Sequence, residues 1–178
     1  MKIYSTRHGQ TDFNKNELIL GTMDIPLNET GLVQAEKLAE AVEKLGDVDI
    51  IICSPMVRAL TTAMAVSQRC GIGLIADERL REWDYGSFES LPRDTDGFAE
   101  NKREFAVRMR NGGESLLQLS HRVYSALDDI IRNYNGQNVL IVSHGGICRV
   151  IETYFHDMTT EQYSGWFMEN CQLIEYNI

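Results

Sequence analysis

Residues 139–151 read Val139-Leu140-Ile141-Val142-Ser143-His144-Gly145-Gly146-Ile147-Cys148-Arg149-Val150-Ile151. Four aliphatic residues in succession, with no polar position between them, suit a strand covered on both faces, as in parallel sheets flanked by helices. After Ser143 the period changes. Gly145-Gly146 opens a helix in which Ile147, Val150, Ile151 and Tyr154 recur at helical spacing. Val48–Cys53 is a second nearly continuous apolar run. Ser54-Pro55 behind it reads as an N-cap and first-turn proline of a helix that carries Arg58 and stops at Gly71.

Working outward, Lys2–Ser5 and Ile72–Ala76 are shorter β-rich runs. Gln172–Ile178 alternates in character and suits a more peripheral strand. Thr30 is placed to cap a helix whose Ala35, Leu38, Ala39, Val42 and Leu45 form one stripe, with Gly46 closing it and Glu40–Lys44 pairing outside. Ser115 to about Tyr134 carries Leu116, Leu119, Val123, Leu127, Ile130 and Ile131 on one face. Strands alternating with helices imply an α/β domain with a largely parallel sheet.

The 178 residues hold 17 Lys+Arg against 26 Asp+Glu, a formal charge of −9, with 43% hydrophobic and 24% charged residues. These values fit one globular domain, residues 1–178, with no linker or repeat, and exclude a disordered chain. The acidic balance argues against nucleic-acid or anionic-membrane partners, which need a basic face. No apolar stretch reaches a membrane span, and Met1–His8 lacks the apolar core of a signal peptide, so a cytoplasmic protein is expected. Cys53, Cys70, Cys148 and Cys171 share no metal or redox spacing, and Cys53 and Cys148 read as small buried hydrophobes.

Arg7 and His8 follow the first strand, Arg58 lies one turn into the helix after the second, and His144 follows Ser143 directly. In open α/β sheets ligands bind beyond the carboxyl ends of the strands, so two His and two Arg reach one edge. Guanidiniums grip phosphate oxygens bidentately, and the two helix N-termini favour an anion. A neutral His can attack phosphorus and carry the phosphoryl group, while a carboxylic acid protonates the departing alkoxide.

The sequence also resembles a known family. Thr6-Arg7-His8-Gly9-Gln10-Thr11 with Asn14 is similar to the Arg-His-Gly signature of the histidine phosphatase superfamily, on its phosphoglycerate-mutase-like branch. The likeness continues through Gly21–Leu27, Thr30-Gly31 with Gln34-Ala35, Ser54–Ala59 with Thr61–Ala63, Leu80-Arg81-Glu82 with Tyr85-Gly86, Gly113-Glu114-Ser115 and Val142–Gly146. It implies a three-layer α/β/α fold with a mostly parallel central sheet. It also implies His8 as nucleophile, a phosphate pocket of Arg7, Arg58 and His144, and hydrogen bonds from Asn14 and the Gly21-Thr22 backbone. Glu82 matches the proton donor. Trp83, Tyr85 and Phe88 beside it favour a protonated carboxyl, whereas Arg79 and Arg81 oppose this; Glu78, Glu89 and Glu114 are its rivals.

Gln10 stands where the family often has Glu, and Phe88-Glu89-Ser90 where it commonly has Trp-Glu-Gly. Leu91–Gly112, which in the family covers the active site and shapes substrate choice, mixes Arg93, Lys102, Arg103, Arg108 and Arg110 with acids; its part Arg93–Arg110 reads as a solvated helix face, with one Arg reaching the substrate as the alternative. Met56, Met64 and Met109 read as core. His121 and His156 read as non-catalytic, and no His pair has metal-ligand spacing. The expectation is a phosphatase for a small phosphorylated metabolite, resembling bacterial α-ribazole phosphatases, with no metal or cofactor. A mutase, whose longer relatives carry inserted segments, and a non-catalytic phospho-ligand-binding protein are the alternatives.

Overall fold

The computed structural model describes residues 1–105 and 111–178, so Arg108, Met109 and Arg110 lie outside the described residues. The strands are β1 (Lys2–Arg7), β2 (Ile50–Cys53), β3 (Gly73–Ala76), β4 (Val139–Ser143) and β5 (Leu173–Asn177). The helices are α1 (Asp12–Lys15), α2 (Glu29–Leu45), α3 (Val57–Cys70), α4 (Phe98–Asn101), α5 (Leu116–Asn133), α6 (Gly145–Phe155) and α7 (Thr160–Gly165). They form an α/β fold around one five-stranded sheet of order β3-β2-β4-β1-β5. All neighbours run parallel except β5, which pairs antiparallel with β1 at the edge.

The apolar run of β4 has its reason in this arrangement. β4 lies at the middle of the sheet and all five of its residues are buried. Leu140 and Val142 pack with Leu38, Val42, Ala59 and Ala63 from α2 and α3. Val139 and Ile141 face the opposite layer, with Leu119, Val123, Ile147 and Val150 from α5 and α6. Successive side chains of a strand point to opposite faces, so a strand between two helical layers favours apolar residues throughout, and buried Ser143 at its end is accommodated by donating to the Leu80 carbonyl at 2.8 Å. Cys53 and Cys148 are buried as free thiols within these layers.

Three local expectations are corrected. Asn28, not Thr30, caps α2, its side chain accepting from the Gly31 N–H at 2.9 Å while its backbone stays extended. Ser54 does not cap α3, which begins at Val57; Asp24 on a distant loop accepts the Val57 N–H at 2.8 Å instead. Glu40 reaches across to Arg69 of α3 at 3.8 Å, because α2 and α3 pack against each other and bring that guanidinium over its carboxylate. Ser115 does cap α5, in a reciprocal capping box with Gln118.

Strand register sets up the chemistry. Arg7 pairs opposite Ser143, and Cys53 opposite Val142. The chains therefore leave the sheet level with one another, and His8, Ser54 and His144 emerge side by side. Among the described residues no helix is long and apolar enough to cross a membrane.

Candidate active site

His8 is buried at the end of β1. Its Nδ1 lies 2.6 Å from the Gly9 carbonyl oxygen, which can only accept, so Nδ1 carries the proton and the Nε2 lone pair is left free. Burial, followed by the charges of Arg58 and Arg7, holds its pKa well below the usual 6.5. His8 is therefore a neutral imidazole near pH 7 with an unprotonated Nε2. The His144 ring lies edge-on, 5.2 Å away between centroids, and is held neutral by burial, Arg58 and the same neighbours. Its Nε2 is 2.7 Å from the Ser54 hydroxyl. The same hydroxyl accepts the Met56 N–H at 3.3 Å, one residue ahead of the start of α3.

The two guanidiniums are clamped from behind. Arg7 Nη1 donates to the Met168 carbonyl at 3.0 Å. Arg58 Nη1 and Nη2 donate to the Met23 and Gly21 carbonyls at 2.8 and 2.9 Å. Among the described residues, four buried side-chain polar atoms have no hydrogen-bond partner: Arg7 Nε, Arg58 Nε, His144 Nδ1 and the Tyr163 hydroxyl. A buried donor without an acceptor costs about 1–3 kcal/mol. Two such guanidinium donors, with the unpartnered His144 ring nitrogen beside them, suit an anion with several oxygens.

The other expected residues divide. Asn14 lines the cavity beside His8, with its Oδ1 accepting from Thr11 N–H and Asn170 and its amide nitrogen left to donate. Gly21 turns its carbonyl to Arg58, and Thr22 gives both its N–H and its hydroxyl to Glu89. Gly21 and Thr22, like Arg58 and His144, stand behind the residues that line the cavity, and their contacts hold Arg58 and Glu89.

Glu82 lines the cavity and is 7% exposed. Its carboxylate accepts from the N–H groups of Trp83 (2.9 Å) and Gly146 (3.3 Å), the second at the start of α6. Its rivals are engaged elsewhere. Glu78 faces solvent beside Arg81, Glu89 binds Thr22, and Glu114 is gripped by Arg122 at 2.7 and 2.9 Å. Arg79 is drawn off to Asp77 and Asp129, and Arg81 to Glu78.

Arg122 was not legible as a site residue. From α5 it donates to the carbonyls of Arg79, Arg81 and Glu82 while paired with Glu114, tying down the turn that carries Glu82. Its helical spacing showed only a polar face; the Gly113-Glu114-Ser115 motif was the available signal. Ser54 reads locally as a cap rather than as a partner of His144, and Asn170, which donates to the His8 carbonyl at 2.7 Å, carries no sequence signal.

The cavity offers about 50 Å³ to the centre of a water-sized sphere. That is room for a few waters or one small group. The expected solvated helix face over Arg93–Arg110 is corrected in its described part, residues 93–105. Pro92 bridges to Leu18, α4 is a single turn with Phe98 buried, and Arg93, Phe98 and Lys102 line the cavity. Phe98 packs on Tyr85 and Phe88, which draws the segment over the site.

A mostly parallel sheet whose carboxyl edge gathers two imidazoles and two guanidiniums is an α/β fold with a cationic site at its strand ends. The chain belongs to the histidine phosphatase superfamily (branch 1), whose family model matches residues 3–178. A relative from Escherichia fergusonii, designated probable phosphoglycerate mutase GpmB, is 35% identical over 153 residues, 82% of this chain and 70% of that protein. Among solved structures, a mycobacterial glucosyl-3-phosphoglycerate phosphatase in complex with VO3 is 26% identical, with a TM-score of 0.85 over 98% of this chain and 90% of its own. A structure from Escherichia coli K-12 with a provisional α-ribazole-5'-P phosphatase designation is 23% identical over 98% of this chain and 89% of its own. Its TM-score is 0.83, and it speaks for the fold alone.

Proposed function

We propose that this protein hydrolyses a small phosphorylated metabolite through a phosphohistidine at His8, without a metal ion. The observation that carries the reading is the neutral His8 with its Nε2 free, set beside the unpartnered Nε of Arg7, Nε of Arg58 and Nδ1 of His144. The guanidiniums and His144 would hold the phosphoryl oxygens and neutralise their charge, the work a metal does in other phosphoryl-transfer sites. His8 Nε2 attacks phosphorus, the bond to the alcohol oxygen breaks, and protonated Glu82 gives its proton to that oxygen. Water then attacks the phosphohistidine, Glu82 takes its proton, and the nitrogen–phosphorus bond breaks to release inorganic phosphate and neutral His8. The cavity size favours a small alcohol portion.

The test is release of phosphate from p-nitrophenyl phosphate in EDTA by the wild type and by His8→Ala. Activity is expected in the first and loss of more than a thousandfold in the second. Quenched wild-type reactions should contain an acid-labile, alkali-stable phosphoprotein. Full activity in His8→Ala removes the nucleophile from the scheme. A mutase reading has one observation in its favour, the likeness to the GpmB relative. It predicts isomerisation of phosphoglycerate, stimulated by the bisphosphate, faster than phosphate release.

A further inference from the structure

The loop Gly21–Asp24 holds Arg58 from behind and is itself held from its far side by Glu89. Its Gly21 and Met23 carbonyls accept from Arg58 Nη2 and Nη1 at 2.9 and 2.8 Å. Asp24 accepts the N–H of Val57, the residue before Arg58, at 2.8 Å. The Glu89 carboxylate accepts the Thr22 N–H at 2.8 Å and the Thr22 hydroxyl at 3.1 Å. Among the described residues every hydrogen bond to that carboxylate comes from Thr22, and neither residue belongs to the cavity lining. The hydrogen-bonded route from Glu89 to the site therefore runs through the loop.

The packing around this contact leaves little freedom. A Cβ on Gly21 would run into Glu89 Oε1 and stand 2.8 Å from the Trp83 carbonyl oxygen, so the carboxylate lies directly on the loop backbone. Glu89 also leads into the segment that crosses over the site. Ser90 N–H donates to the Ile19 carbonyl at 2.9 Å, Ile19 N–H to the Leu91 carbonyl at 2.8 Å, and Arg93 N–H to the Glu17 carbonyl at 2.9 Å. Two non-glycine residues of this ladder, Glu17 and Ser90, are held at φ 56° and 70°. Side chains disfavour that left-handed region and keep it where surrounding contacts over-determine the backbone. Glu89 is thus fixed where the segment bearing Phe98 meets the loop that clamps Arg58.

Arg58 depends on such support. It is fully buried, and its Nε has no protein partner. Burial pulls its pKa down to about 10, against the opposing pull of Glu82, Asp24 and Glu89. A guanidinium grips two phosphate oxygens in one plane only, so the carbonyls behind it must stay in place. We propose that Glu89 is a positioning residue for the phosphate pocket: through Thr22 it fixes the Gly21 and Met23 carbonyls, and these set the plane of the Arg58 guanidinium. The role rests on the phosphomonoester reading of the His8 site. It couples the grip on phosphate to the segment over the cavity, because Glu89 stands at the root of that segment.

The direction of one change in affinity separates positioning from simple charge. A carboxylate that acts only as a nearby negative charge weakens anion binding, so its removal strengthens it. A positioning carboxylate gives the opposite result. Calorimetry with inorganic phosphate and the whole chain is expected to show binding about tenfold weaker, or more, in Glu89→Ala. Glu89→Gln, whose amide oxygen still accepts the Thr22 N–H, should stay within about threefold of wild type. In an Arg58→Lys background the planar grip is already lost, and there Glu89→Ala should cost less than about twofold, since coupled residues are not additive. Matching melting temperatures show that the variants are folded. If Glu89→Ala unfolds, Thr22→Val carries the test from the exposed side of the same contact, with an expected loss of about threefold or more. Unchanged or tighter phosphate binding in the variant used, or an equal loss in the Arg58→Lys background, overturns the positioning role. If phosphate binding shows this dependence while p-nitrophenyl phosphate is not hydrolysed, the catalytic reading fails and the positioning role stands.

Discussion

Replacing Gly146 by alanine puts a methyl group where the Glu82 carboxylate now lies. A Cβ at this position would stand 2.6 Å from Glu82 Oε1, 3.0 Å from the Tyr85 hydroxyl and 3.4 Å from Trp83 Cβ. Ordinary contact begins near 3.4 Å, so the carboxylate must retreat by about 0.8 Å (3.4 − 2.6). It cannot take its turn with it freely, because Trp83 is fully buried and Arg122 binds the carbonyls on either side. Misplacing a reacting group by about 1 Å can cost about 100-fold. The comparison to run is kcat/KM on an alkyl phosphate and on p-nitrophenyl phosphate. In the proposed mechanism an alkoxide takes its proton from Glu82, whereas nitrophenolate leaves largely without one. Gly146→Ala is expected to lose about 100-fold on the first and under about tenfold on the second, with overpacking costing about 1–3 kcal/mol of stability. Equal losses on both substrates would refute the idea that Gly146 is glycine to seat the acid.

Glu82→Gln follows the same logic without moving the backbone, and kcat for poor leaving groups should drop much further than for good ones. A uniform drop moves the acid to another residue. The buried histidines give a pH signature in phosphate-free buffer. Above about 6.5 both folded and unfolded chains carry His8 and His144 neutral; below it the unfolded chain takes up protons that the folded one excludes. Stability is therefore complete above pH 6.5 and is lost as pH falls, by up to about 1.4 kcal/mol per pH unit for each His. Urea titrations of wild type and His8→Gln between pH 7 and 5 should differ in slope, and parallel curves contradict this. Ser54→Ala leaves His144 Nε2 without its 2.7 Å partner. It should lower stability by about 1–3 kcal/mol, and an unchanged denaturation midpoint argues that water replaces the hydroxyl.

How far the chain could be read from its residues follows from the range over which each signal acts. The run Val139–Val142 announces a strand between two layers, because burial on both faces favours apolar residues at successive positions. Its neighbour Gly145-Gly146 announces a helix start, and Arg7, His8, Arg58 and His144 announce an anion edge, because strand ends in such sheets converge. Helix starts were less legible. Asn28 and Thr30 offer equivalent capping chemistry, and Ser54 can cap a helix or bond an imidazole. Only the register of β2 against β4 decides that it meets His144.

Residue types, spacing and punctuation thus determined by themselves the α/β layering, the identity of the four buried His and Arg side chains and the family likeness. All of these rest on periodicity and short motifs that act within a few residues. The tertiary structure alone decided which donors are left unpartnered, which of four glutamates faces the cavity, that Arg122 gathers the carbonyls around Glu82, and that Arg93 and Lys102 line the cavity. Each depends on side chains far apart in the chain meeting at hydrogen-bond or charge range, as when Arg122 of α5 reaches the Glu82 carbonyl forty residues away at 3.2 Å. Local sequence encodes such a residue's polarity but not its partner, since the partner is chosen by how the layers pack.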